Sequence, residues 1–114
     1  KRILDTRFAN GGAPVPIGPA GTLDVQVTGR GGVPAIGVTA VIMNVTVTQP
    51  TASTHLTVFP SGQARPLASN LNFVPGQTIA NLVVVPVGEG GRVSFFNAAG
   101  QSHVVADVSG WYGA

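Results

Sequence analysis

The chain has 114 residues, of which 9% are charged, 16 are glycine, 9 are proline and none is cysteine. This length allows one domain, and the absence of cysteine excludes a disulfide scaffold and thiolate metal sites. The formal net charge is only +2, with scattered basic residues and no apolar run near the roughly 20 residues that cross a bilayer, so neither nucleic-acid binding nor membrane insertion is expected.

The first quarter of the chain predicts two strands separated by an irregular loop. Residues 1–8 (KRILDTRF) alternate, which places Asp5 and Arg7 on one face of a strand. Residues 9–21 are rich in glycine and proline and predict a surface connection. Residues 22–28 (TLDVQVT) alternate apolar and polar side chains, which is typical of a strand with one solvated face.

The middle of the chain contains the most regular strand pattern, at residues 38–48 (VTAVIMNVTVT). One of its predicted faces is wholly apolar and consists of Val41, Met43, Val45 and Val47. Two shorter strands are predicted at residues 55–59 and 70–73, and the Pro-Gly pair within residues 74–77 fits a type II turn.

The last third, residues 78–112, predicts three strands joined by the turns GEGG and AAGQ. The apolar residues are mostly β-branched or aromatic, and glycine or asparagine falls where a hairpin requires positive φ. Asp107 lies inside the apolar run VVADV, where burial without a partner would be costly, so we expect another part of the chain to supply that partner.

About eight strands with no helical period predict an all-β fold. We expect an antiparallel two-sheet β-sandwich, either a jelly roll or an immunoglobulin-like arrangement, with a small closed barrel as the competing architecture. Residues 1–114 are expected to form a single domain.

The strongest candidate site is a structural ion pair formed by Asp5, Arg7 and Asp107. An arginine can hold a carboxylate with two parallel hydrogen bonds, and Asp107 is the carboxylate that most needs such a partner. We therefore predict that Arg7 clamps the first strand to the last, and that removing Arg7 destabilises the fold. The alternative is that these residues form a catalytic acid or a sugar ligand.

An enzyme is not expected. The two histidines lack the spacing of a metal site, and no serine lies in a nucleophile-elbow sequence. The chain has only four acidic residues: Asp5, Asp24, Glu89 and Asp107. The ionisable groups are predicted to join the two ends of the chain, which leaves none for catalysis. A hydrolase would require a carboxylate pair in one cleft. Neither a metal nor a cofactor is predicted.

Five residues are candidates for ligand binding: Trp111, Tyr112, Asn44, Asn72 and Asn81. Exposed aromatic side chains can stack on sugar rings, and asparagine offers both donors and acceptors to a sugar or a carbonyl oxygen to Ca²⁺. The alternative is that the aromatic pair caps the core and that the asparagines fix bulges and turns. Asn97, which precedes Ala-Ala-Gly, is assigned to that turn-fixing role.

The two ends of the chain also resemble a known module. Residues 2–7 (RILDTR) and 103–112 (HVVADVSGWY) resemble the ends of an accessory module in large secreted proteins of actinobacteria, as do the internal segments LTVFPSG and GRVSFFN. That module often occurs in tandem or beside catalytic or surface-associated domains. The resemblance implies an extracellular or cell-surface location, an accessory role, and a spatial pairing of Asp5 and Arg7 with Asp107.

These observations predict a non-catalytic extracellular accessory module that attaches or presents a larger protein at the cell envelope, with a cell-wall or other glycan as partner. The alternative is a self-associating structural subunit of a surface fibre or layer, because strands rich in threonine and valine with few charges suit pairing between copies.

Overall fold

The computed structural model describes residues 1–113, which form a β-sandwich of two antiparallel four-stranded sheets. Its strands are β1 (Arg2–Asp5), β2 (Gly21–Gln26), β3 (Val38–Thr48), β4 (Thr54–Pro60), β5 (Leu71–Phe73), β6 (Ile79–Pro86), β7 (Arg92–Asn97) and β8 (His103–Gly113). The predicted all-β class, the two-sheet arrangement and the strand number are confirmed. Within residues 1–113 no helix has the length and apolar character needed to traverse a membrane.

The strand order identifies the sandwich as a jelly roll. The first sheet has the order β1-β8-β3-β6 and the second has the order β2-β7-β4-β5. The first strand therefore pairs with the eighth, the second with the seventh, the third with the sixth and the fourth with the fifth. This is the pattern of one long antiparallel hairpin wrapped into two sheets, and it decides between the two predicted topologies.

The hairpins predicted for the last third do not form. β6 and β8 both flank β3 in the first sheet, whereas β7 lies in the second sheet between β2 and β4. Gly90, Gly91 and Gly100 do adopt positive φ, but the turns that contain them carry the chain from one sheet to the other. Turn residues specify a local reversal and not the partner strand, so sheet membership is decided by which apolar faces pack together.

The inner faces of the two sheets form one core. The four apolar residues predicted for β3 (Val41, Met43, Val45 and Val47) have no exposed surface, which confirms that face. Phe95 of β7 is the largest fully buried side chain and comes from the opposite sheet. Burial of each large apolar side chain contributes about 1.5–3 kcal/mol, so this core is the main source of stability.

The first strand is shorter than predicted and does not alternate. β1 ends at Asp5 instead of residue 8, and Ile3, Leu4 and Asp5 are buried in succession because the pairing with β8 shifts register between Arg2 and Leu4. The chain then reverses, with the N–H of Phe8 donating to the carbonyl of Asp5. This early turn removes Arg7 from the strand and determines which partner Arg7 reaches.

Candidate functional site

The buried carboxylate at the joined ends of the chain belongs to Asp5. Its side chain is 3% exposed, whereas that of Asp107 is 34% exposed. The main-chain N–H of Arg7 donates to Asp5 Oδ1 at 3.1 Å, and Nε and Nη2 of Arg7 donate to Oδ1 and Oδ2 at 3.0 and 2.9 Å. Arg7 therefore holds Asp5 in the two-pronged geometry that was predicted for Asp107.

The predicted contact between Arg7 and Asp107 is wrong, because Arg2 takes that place. Nε of Arg2 donates to Asp107 Oδ1 at 2.9 Å, and Nη1 donates to Asp5 Oδ2 at 3.4 Å. The antiparallel register places Arg2 opposite Asp107, whereas Arg7 lies in the turn after β1. The four side chains form one chain of alternating charges, here named the terminal clamp: Asp107, Arg2, Asp5 and Arg7.

The terminal clamp is suited to a structural role. The hydrogen bonds from Arg7 lower the pKa of the buried Asp5 carboxyl below its usual range. An aspartate held ionised in this way is a poor proton donor at neutral pH, which argues against general acid catalysis by this residue.

Thr6 and His103 extend the contact between β1 and β8, and the sequence did not reveal this pair. The N–H of Val104 donates to Thr6 Oγ1 at 2.9 Å, and Thr6 Oγ1 lies 2.9 Å from His103 Nδ1. The N–H of Thr6 in turn donates to the carbonyl of Val104 at 3.1 Å. The only signal available was a threonine between two charged residues, which by itself indicates no partner.

The two aromatic residues of β8 lie on opposite faces of the first sheet. Tyr112 is paired with Ala40 and faces outward, whereas Trp111 is paired with Val41, whose side chain points into the core. Both are exposed. They do not form one aromatic site.

The asparagine candidates are also separated. Asn44 is exposed on the outer face of the first sheet, Asn72 lies in the second sheet and accepts a hydrogen bond from Ser69, and Asn81 donates to the carbonyl of Asn70. The five predicted ligand residues therefore do not converge. Asn81 bonds a main-chain carbonyl, as the alternative expected, but it joins β6 to the segment before β5 and fixes neither a bulge nor a turn.

Tyr112 is part of a larger surface that the sequence did not single out. Outward-facing residues of β3, β6 and β8 form adjacent rows on the first sheet, here named the apolar face: Ala40, Ile42, Leu82, Val84, Pro86 and Tyr112. Leu82, Val84 and Tyr112 are 61%, 57% and 56% exposed. Gly110 lies beside Ile42, and the absence of a side chain there leaves the space that Ile42 occupies, because a Cβ at this position would lie only 3.3 Å from Ile42 Cδ1. An exposed apolar surface of this kind is typical of an interaction site.

The second sheet carries a cleft, here named the polar cleft, which is lined by five residues: Asp24, Ser61, Gly62, Glu89 and Arg92. Two of the four acidic residues therefore lie outside the terminal clamp and share one cleft. This corrects the expectation that all acidic groups join the ends of the chain, and it supplies the carboxylate pair that a hydrolase interpretation requires. Both carboxylates are solvent-exposed.

Metal ligands are not clustered in the part of the chain that the structure describes. Among residues 1–113 there is no group of three or more histidine, aspartate and glutamate side chains positioned around a common point. His55 packs against the ring of Phe96, with centroids 6.5 Å apart, and His103 contacts Thr6.

Comparisons with protein-family models, with curated proteins and with solved structures found no match to this chain. The resemblance to the actinobacterial accessory module therefore stays a prediction, and function has to be inferred from the geometry of these sites.

Proposed function

We propose that this chain is a non-catalytic extracellular module that attaches a larger protein to the cell envelope, and that it binds an envelope glycan with the apolar face of its first sheet. The observation that carries the proposal is the exposed Tyr112 at one end of the apolar face and the exposed Asn44 further along the same side of β3. The low proportion of charged residues supports an extracellular location, and the pairing of Asp5 with Arg7 supports a structural use of the buried acid.

The geometry favours an extended ligand. Ala40, which is paired with Tyr112, and Asn44 are four residues apart on β3, which corresponds to about 13 Å along a strand. An aromatic ring can stack on the C–H face of a sugar, while an asparagine amide can both donate to and accept from its hydroxyl groups. A polysaccharide lying along β3 reaches both, whereas a single small molecule does not.

We expect Tyr112→Ala to weaken binding to insoluble cell-wall polysaccharide by about tenfold, because loss of a stacking aromatic removes roughly 1.4 kcal/mol. The measurement is depletion of the protein from solution after centrifugation with the polysaccharide. Leu67→Ala is the matched control, since Leu67 is fully exposed in the loop that follows β4 of the other sheet. Wild-type binding at background level, or equal binding by Tyr112→Ala, contradicts the proposal.

A second candidate function, self-association, is favoured by the aliphatic part of the same surface. Leu82 and Val84 project from β6, which is an edge strand of the first sheet. Natural edge strands commonly carry charges that prevent pairing between copies, and β6 (IANLVVVP) has none. A second copy of this chain would cover both side chains.

If this second function is correct, wild-type protein at high concentration should sediment as a dimer or larger species, and Val84→Lys should sediment as a monomer. A charge at the centre of an apolar contact is costly to desolvate, which is why the single substitution is sufficient. Leu67→Lys adds the same charge elsewhere and should not change the sedimentation of the wild-type species. A wild-type protein that remains monomeric at every concentration excludes self-association and leaves glycan binding in place.

A further inference from the structure

The polar cleft lies on the second sheet, away from the apolar face. Asp24 projects from β2 and Arg92 begins β7, while Ser61 and Gly62 follow β4 and Glu89 lies in the 3-10 turn before β7. The volume of the cleft is about 180 Å³. A cleft of this volume admits a small polar molecule.

A chain of buried hydroxyl groups fixes one wall of the cleft. Ser94 Oγ donates to Asp24 Oδ1, and the hydroxyl oxygens of Ser61 and Ser94 are 2.8 Å apart. Because an ionised carboxylate only accepts, Ser94 uses its proton on Asp24, and the proton between the two serines belongs to Ser61. Ser61 and Ser94 are only 5% and 2% exposed. Asp24 is therefore oriented by groups that cannot rotate freely, and its Oδ2 accepts no hydrogen bond within residues 1–113.

Two glycines allow the loops that line the cleft to approach each other closely. Gly62 adopts φ +83°, and a Cβ there would overlap the side chain of Glu89. Gly88 approaches the main chain of Ser61 so closely that any Cβ would overlap backbone atoms, which no side-chain rotation can relieve. The N–H of Glu89 donates to the carbonyl of Ser61 at 2.8 Å, which ties the two loops together. The rim that carries Glu89 is thus tied to the loop that carries Ser61.

Two charged side chains of the cleft remain unengaged by the protein. Glu89 and Arg92 lie three residues apart, yet neither takes part in a salt bridge or a side-chain hydrogen bond among the described residues. By contrast, every charged side chain of the terminal clamp is paired. The cleft consequently offers the guanidinium donors of Arg92 together with Oδ2 of Asp24 and both carboxylate oxygens of Glu89.

We infer that this cleft is a binding site for the hydroxyl groups of a sugar residue. A sugar hydroxyl can donate to a carboxylate and accept from a guanidinium, so one ring satisfies both kinds of group. A divalent cation fits poorly because Arg92 lines the cleft and only two carboxylates are present, and an anion fits poorly beside those same carboxylates. The inference goes beyond the proposed function, because the site lies on the other sheet and uses other residues.

The test is a titration of the ¹⁵N-labelled chain with a panel of neutral monosaccharides (glucose, galactose, N-acetylglucosamine and arabinose), followed by amide chemical shifts. We expect saturable shifts at residues 24, 61, 62, 89 and 92, with dissociation constants of about 1 mM or weaker, as is usual for one ring held by a few hydrogen bonds. Asp24→Asn, Glu89→Gln and Arg92→Gln should each weaken binding by about tenfold, which corresponds to ~1.4 kcal/mol. Asp107→Asn makes the same change on the first sheet and should leave the titration unchanged.

Three outcomes separate the possibilities. If no sugar shifts these amides, or if Asp24→Asn and Arg92→Gln bind as the wild type does, the inference is overturned. Shifts produced by calcium chloride alone at the same amides also overturn it, because they identify a cation site. Release of reducing sugar from disaccharides that bind the cleft would support the sugar site while contradicting the non-catalytic function. The polysaccharide assay with Tyr112→Ala reports on the other sheet, so the two proposals can fail separately.

Discussion

Asn97→Asp is expected to lower the free energy of unfolding by more than about 3 kcal/mol at neutral pH, because it places a negative charge in a buried site built of carbonyl oxygens. Asn97 has no exposed surface. Its Nδ2 donates to the carbonyls of Ile17, Gly18 and Gly100 at 3.1, 3.2 and 2.7 Å, and its Oδ1 accepts from Ser102 Oγ at 3.0 Å. The corresponding fall in Tm is about 10 °C or more by thermal unfolding.

The control for this substitution is Asn72→Asp, which introduces the same charge at an exposed position of β5 and keeps the acceptor for Ser69. It should change stability by less than about 0.5 kcal/mol. Burial among carbonyls raises the pKa of the introduced carboxyl at position 97 above its unfolded value, so the destabilisation should be present at neutral pH and decrease as pH falls toward about 4. Equal stability of the two variants at pH 7 would contradict the assignment of Asn97 as the buried link between β7 and two loops.

Asp5→Asn is expected to lower the free energy of unfolding by about 2–3 kcal/mol, because it removes the charge from a buried group that holds two arginines. Arg7 donates three hydrogen bonds to this carboxylate and Arg2 donates one. Asp107→Asn is the matched control, and its effect should be less than half as large because Asp107 is one-third exposed. Chemical denaturation at pH 7 measures both.

The pH dependence of the stability of wild type and of Asp5→Asn tests whether the charge of Asp5 is what stabilises the fold. Hydrogen bonds from Arg7 lower the pKa of Asp5 in the folded state relative to its unfolded value of about 3.8. The stabilisation by Asp5 is therefore complete above the unfolded pKa and is lost as pH falls through the folded pKa. The difference in stability between wild type and Asp5→Asn should be constant above about pH 5 and should shrink below pH 4. A difference that does not change with pH would mean that the charge of Asp5 contributes nothing.

The fold class and the most regular strand follow from the pattern of residues along the chain. Alternation with a period of two fixes which side chains share a face, and this information is contained within each segment of chain. The prediction for β3 is therefore correct at both ends and in all four of its core residues. The same reasoning placed a strand at most other positions within a few residues, with β1 as the exception, because a register shift breaks the alternation after Arg2.

The pairing of the charged groups, by contrast, depends on how the strands are arranged in space. The sequence indicated that a buried aspartate requires an arginine, but it assigned Arg7 to Asp107 because Asp107 lies inside an apolar run and was the carboxylate expected to be buried. The structure pairs Arg7 with Asp5 through a turn, and pairs Arg2 with Asp107 through the register of β1 and β8. Side-chain partners depend on the turn geometry and the register, and neither can be read from a repeat of apolar residues.

The polar cleft and the apolar face also arise from the pairing of strands in the folded protein. Asp24 and Glu89 are 65 positions apart in the sequence and line one cleft because β2 pairs with β7 in the second sheet. Tyr112 and Leu82 lie on one face because β6 and β8 flank β3 in the first sheet. Each strand encodes which of its sides is polar, whereas the choice of neighbouring strand comes from packing the two sheets around a common core, and that choice brings distant residues together into sites.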